Sequence, residues 1–216
     1  DVTIIAGCGI HNSGDAASEH DGIHTFFVGK NAKLRYVEKH YGSGDGKGER
    51  ILNPQTIVHM EEGSYMEMEA VQIKGVDSTQ RMTKADLAAG AKLIIRERLL
   101  THGDQHAESG FVVNLNGEDS SANVISRSVA KNNSTQVFNA EINGNAKCAG
   151  HSECDAIIMD HAKISAIPKI VANDIDAALI HEAAIGKIAG EQLIKLMTLG
   201  LTEQEAEAQI VNGFLK

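Results

Sequence analysis

Tryptophan is absent, and aromatic residues make up only 4% of the 216-residue chain. Enzymes that act on polysaccharides favour exposed aromatic platforms, so sugar stacking is disfavoured. Basic residues are outnumbered 20 to 29, which gives a formal charge of −9. Non-specific nucleic-acid binding needs a basic face to neutralise phosphates, and this balance argues against it. No apolar run approaches the ~18 residues of a membrane-spanning helix, and no secretory signal is legible. The chain opens on Asp1 rather than Met, as a fragment or trimmed chain does.

Cysteine is scarce too. Cys8, Cys148 and Cys154 are an odd, sparse set, which makes no disulfide framework and fits a reducing cytoplasm. Without a Cys-x-x-Cys pair, a four-cysteine cluster or zinc site cannot be built within one chain. A P-loop, a dinucleotide fingerprint and a Gly-x-Ser-x-Gly elbow are also missing. Gly42 to Gly48 is glycine-rich but lacks the Gly-Lys-Ser/Thr ending.

Glycine is what the chain has in quantity, with 21 residues against two prolines. Gly63, Gly90, Gly117 and Gly144 follow one another in three equal steps of 27 residues. Apolar positions recur in the same register: Met66 with Leu93, Met68 with Ile95, Phe111 with Phe138, Val113 with Ala140 and Leu115 with Ile142. Within each half-repeat the apolar spacing is two, the period of a strand. A helical repeat is excluded by that spacing and by the Val, Ile and Thr content. Gly29 to Leu34 reads as one earlier turn, with its extra residues placed in the Gly42–Gly48 loop. The pattern predicts an all-β solenoid over 1–183 with about two strands per 27-residue coil. Such a coil buries its apolar side only by stacking on the next.

A helical segment is expected over 184–216. Gly190 to Leu199 carries Leu193, Ile194, Leu196 and Met197 and is closed by Gly200, a C-cap pattern. Thr202-Glu203-Gln204-Glu205 is a capping box that opens a second helix, ending near Asn212-Gly213. The hairpin either caps the solenoid or receives a partner, and Gly190, Leu193, Leu196, Thr202 and Glu205 are its candidate contacts.

For chemistry, the main candidates are Cys154 and His181, which are 27 residues apart. One more coil of the same length stacks them and pairs Asp155 with Glu182. An imidazolium beside a thiol favours the thiolate that attacks sulfur or binds iron. The plain alternative is a buried cysteine and a surface histidine. His102 and His106 flank a turn with Asp104 and are a second candidate for a divalent metal, against a solvated loop. His11, His20 and His24 lie among acidic residues in a loop-like stretch. Cys8 and Cys148 have no charged constellation.

The segments Gly144-Asn-Ala-Lys-Cys-Ala-Gly-His-Ser-Glu-Cys154-Asp155 and Ala178-Leu-Ile-His-Glu-Ala-Ala-Ile-Gly186 resemble the SufB/SufD proteins of the SUF iron–sulfur assembly system. Ile188 to Gln192 and Ile210 to Phe214 extend the match to a short SufB-like form. The resemblance implies a right-handed parallel β-helix, a helical segment that docks the SufC ATPase, and pairing through the β-helices. A transient iron–sulfur cluster forms at the pair interface, supplied by a cysteine desulfurase or another sulfur donor. Cys154 looks like the cysteine that receives sulfur, Glu182 like the glutamate required with it, and His181 falls where SufD presents its cluster-related histidine. Both residue types in one chain suit a homodimer. The region around Met60 to Gly63 has no counterpart of the second SufB cysteine, and the N-terminal helical region of longer members is missing, so flavin binding stays open. Two rivals remain: a β-helix enzyme on carbohydrate or acyl substrates, and a structural partner of the ATPase that never touches iron.

Overall fold

The computed structural model describes residues 1–216. Thirteen strands alternate between two parallel sheets, so each coil of the chain adds one strand to each sheet. The seven-stranded sheet runs β1 (Val2–His11), β3 (Lys33–Ser43), β5 (Tyr65–Lys74), β7 (Lys92–Thr101), β9 (Ser121–Ala130), β11 (Ala149–Ile158) and β13 (Ala178–Gly186). The six-stranded sheet stacks β2 (Ser18–Val28), β4 (Arg50–Met60), β6 (Ser78–Leu87), β8 (His106–Leu115), β10 (Thr135–Gly144) and β12 (Lys163–Ala172). The solenoid of two strands per coil read from the spacing is what the chain forms. The histidines His11, His20 and His24 stand in β1 and β2 rather than in a loop.

Alternate residues of every strand point inward, as the pleat requires. The inward side chains of Met66, Met68, Leu87, Leu93, Ile95, Val113 and Leu115 belong to one core of 22 buried residues that runs through the coils. No coil has enough apolar surface to stand alone; each one covers the next.

The coil length is not constant. β5 pairs with β7 at a step of 27, with Met66 facing Leu93 and Met68 facing Ile95 as the spacing indicated. The steps from β7 to β9 and from β8 to β10 are 29, so Phe111 faces Ala140 and Val113 faces Ile142. Leu115 likewise faces Gly144, so the three expected pairs with Phe138, Ala140 and Ile142 are each displaced by two residues. The glycines misled because they do not all occupy one structural position. The left-handed turn of this corner is taken by Asn31, Gly63, Gly90 and Asp119, with φ between 56° and 66°. Asn and Asp tolerate that region, so the column survives without glycine. Gly117 instead sits where a Cβ would collide with the Ala88–Ala89 backbone.

Two helices follow the last strand. α1 (Gly190–Thr198) buries no residue, and α2 (Glu203–Phe214) starts with the capping box: Thr202 Oγ1 accepts from the Glu205 amide, while Glu205 accepts from the Thr202 amide. Val211 and Leu215 pack on Val129 with Leu100 and Ile157, so α2 lies against the outside of the seven-stranded sheet.

Candidate functional site

Cys154 is an inward residue of β11, 1% exposed, between Ser126 of β9 and Ala183 of β13. Burial raises its thiol pKa to about 12, and the Glu97 and Asp155 carboxylates add to the rise. His181 is an inward residue of β13 but faces Ser152, with Nδ1 3.3 Å from the Ser152 hydroxyl. The step from β11 to β13 is 29, not 27, so the direct stacking of 154 on 181 is corrected to a diagonal. Because the error is two residues, one full strand period, Cys154 and His181 still point into the same interior. Diagonal neighbours of this kind lie roughly 7–8 Å apart.

Glu182 does not join them. Successive residues of a strand point to opposite faces, and Glu182 faces outward, opposite Glu153 rather than Asp155, with its carboxylate 3.7 Å from His151 Nε2. The structure thus brings two of the three expected ligands to one face and puts the third outside. His102 and His106 also stay apart in role: His106 Nδ1 meets Thr135 Oγ1 at 2.7 Å, and the His102 amide donates to Gln105 at the turn. In α1 and at its C-cap, Leu193 and Leu196 are partly covered, whereas Ile194, Met197 and the capping Leu199 are the exposed apolar residues.

A polar seam through the core went unread in the sequence. Glu38, Glu97, Ser126 and Cys154 occupy successive levels of one inward column of the seven-stranded sheet, interrupted only by Ala70. Glu97 accepts from Arg81 at 2.9 Å, Ser109 at 2.5 Å and Ser126 at 2.7 Å. Arg81 also donates to His40 Nδ1 at 2.5 Å, and His40 Nε2 and His24 Nδ1 each stand 3.2 Å from Glu38. Cys8, which pairs with His40 across β1 and β3, places its sulfur 3.7 Å from the Glu38 carboxylate. Burial pushes the Glu38 carboxyl up, but His40, Arg81 and His24 outweigh it and hold the group at about 2. Burial and Arg81 lower the His40 pKa, so that ring is neutral beside an ionised Glu38. The pairing of Cys8 with His40 depends on a 32-residue step between the first coils. The glycine loop after β3 signals a longer early coil, but the 34 residues from Gly29 to Gly63 would set Cys8 against Gly42, so only the folded register finds this pair.

Two parallel sheets fed by alternate strands, closed by two C-terminal helices, make this a parallel β-solenoid protein, with a thiol one coil below its last strand and an imidazole on that strand. Residues 1–214 match the family model described as "SUF system FeS cluster assembly, SufBD core domain". The chain is 34% identical over its whole length to an "Iron-sulfur cluster assembly SufBD family protein" of Archaeoglobus fulgidus, of which it covers 57%. A relative of the same description from Methanocaldococcus jannaschii is 34% identical over 87% of the chain and 60% of its own length. One from Methanothermobacter thermautotrophicus is 28% identical over the whole chain and 52% of its own length. The protein belongs to the SufBD family of iron–sulfur cluster assembly. It spans little more than half the length of these relatives. No helix is long and apolar enough to cross a membrane.

Proposed function

We propose that this chain is an assembly scaffold on which sulfur delivered to Cys154 meets iron, with His181 and Glu182 as further ligands. The observation that carries the proposal is the position of Cys154 and His181 on one inward face, one coil from the end of the stack. β13 ends its sheet with one backbone edge unpaired, and Ile180 on its outer face is 56% exposed. A second copy or a SufB/SufD paralogue docked there would add its own ligands to the site, and Glu182 would reach it from outside the coil. Unpaired strand edges invite such pairing.

A thiol held near pKa 12 is a poor nucleophile, so sulfur transfer requires β12 and β13 to move off Cys154. A SufC-type ATPase supplies that motion. Docked on α1 and α2 around Ile194, Met197 and Leu199, the partner hydrolyses ATP and opens the end of the stack. The chain itself catalyses no reaction in this scheme, and its iron and sulfide are cargo. Anaerobic reconstitution with ferrous iron and sulfide is expected to yield a cluster absorption spectrum in the wild type, reduced in His181→Ala and abolished in Cys154→Ala. An undiminished spectrum in Cys154→Ala removes that residue from the site. Co-purification with the ATPase but no cysteine-dependent spectrum favours the purely structural partner.

A further inference from the structure

At the opposite end of the solenoid, the first two coils gather donors that the cluster site does not use. Ligand atoms of Cys8, Glu38 and His40 lie within 4.8 Å of one another. β1 and β3 place Cys8 directly beside His40, and Glu38 is the next inward residue of β3. The register shifts after His40, where Tyr41 faces Lys74, and the Gly42 and Gly75 backbones approach closely just beyond it. His24 reaches the same carboxylate from β2, and Tyr36 Oη lies 3.1 Å from its Nδ1.

Two buried atoms in this group lack partners. Glu38 Oε2 makes no hydrogen bond, although the side chain is fully buried. His40 Nε2, on a ring that is likewise buried, stands 3.2 Å from Glu38 Oε1 but is misaligned for a hydrogen bond. Buried polar groups left unmatched are uncommon in native proteins and call for a reason. With the Cys8 sulfur 3.7 Å from Glu38 Oε1, a thiol, a carboxylate and an imidazole stand together, each with a donor atom within 4.8 Å of the others.

We propose that Cys8, Glu38 and His40 form a binding site for a divalent transition cation, with His24 as a fourth donor. The donor set selects the cation. One sulfur, one carboxylate oxygen and one or two imidazole nitrogens suit ions of borderline softness such as Zn²⁺ and Fe²⁺. Mg²⁺ and Ca²⁺ require oxygen ligands throughout, and Cu⁺ prefers sulfur. Ligand distances of about 2.0–2.3 Å require the three side chains to close inward from their present separation. Arg81 donates to His40 Nδ1, which puts the ring proton on Nε2. The incoming cation takes that position, the proton moves to Nδ1, and Arg81 turns away onto Glu97, which it already contacts. The thiol proton leaves to solvent as the thiolate binds.

The test uses Co²⁺ alone on the purified chain under anaerobic conditions, without sulfide, so it is independent of cluster assembly at Cys154. One Co²⁺ per chain with a thiolate-to-cobalt charge-transfer band is expected, displaced by Zn²⁺. The band should vanish in Cys8→Ser and persist in Cys154→Ser, and Glu38→Gln and His40→Ala should weaken binding about tenfold or more. Circular dichroism establishes that each variant is folded; if Cys8→Ser is not, loss of affinity in folded Glu38→Gln decides the matter. A wild type with no thiolate band, a band that survives Cys8→Ser, or unchanged affinity in Glu38→Gln overturns the site.

Discussion

The Arg81 guanidinium and the Glu97 carboxylate are paired at 2.9 Å across the interior of the solenoid, both side chains no more than 2% exposed. Glu97 is further held by Ser109 and Ser126, and Arg81 by His40. Such a network offsets the desolvation of two charges only while every member is present. Arg81→Met or Glu97→Leu alone is expected to cost about 3–5 kcal/mol, because each leaves a buried charge without its counterpart. The double variant should cost less than the sum of the two. Denaturant unfolding measures all three, and a single-variant loss below about 1 kcal/mol would mean that the pair is effectively solvated.

Cys154 should be the least reactive of the cysteines. With a pKa of about 12, its thiolate fraction at pH 8 is on the order of 10⁻⁴. The Cys8 thiol is also raised by burial and by Glu38, but it is partly exposed. Timed alkylation of the folded protein with iodoacetamide, read by mass spectrometry, is expected to label Cys8 well before Cys154. Equal rates would show that the last coils open freely without a partner.

Acid should destabilise the fold in two stages. His40 titrates below its ordinary 6.5 because burial disfavours its charge, so as pH falls past 6.5 the unfolded chain binds a proton that the folded one refuses. Glu38 is held at about 2 against an ordinary 4.5. Its contribution is complete above 4.5 and is lost as pH drops towards 2. Both effects make the unfolded state the better proton acceptor, so stability rises with pH across this range. Urea midpoints measured in chelator from pH 7.5 to 3.5 should fall steadily, and Glu38→Gln should flatten the lower part of the curve.

The corner glycines should divide into two kinds. Gly103, at φ 61° with open space around its Cα, is followed in its column by Asn132 and Asp160 at φ 59° and 57°. Gly103→Asn is therefore expected to change stability by less than about 1 kcal/mol. Gly117 has no positive φ, but its Cβ would strike the Ala88–Ala89 backbone, so Gly117→Ala should destabilise by about 1–3 kcal/mol. Thermal melts of the two variants separate the cases, and a reversed order would contradict the turn assignment.

Strand period, coil repetition, the two helices and the capping box at Thr202 were all legible in the sequence, because each is a local pattern of residue types that needs no knowledge of neighbours. Period two also preserved facing: an error of two residues in the step left Cys154 and His181 on one interior. Which residues meet was decided only in three dimensions. Register accumulates from every turn, and Asn31 and Asp119 make the same left-handed turn as Gly63 and Gly90 without looking like them. Hence Glu182 came out on the outer face, His181 over Ser152, and Cys8 beside His40. The seam from Glu38 through Arg81 and Glu97 towards Cys154 draws on strands of both sheets, far apart along the chain, and only stacking of the coils around one interior brings those charges together.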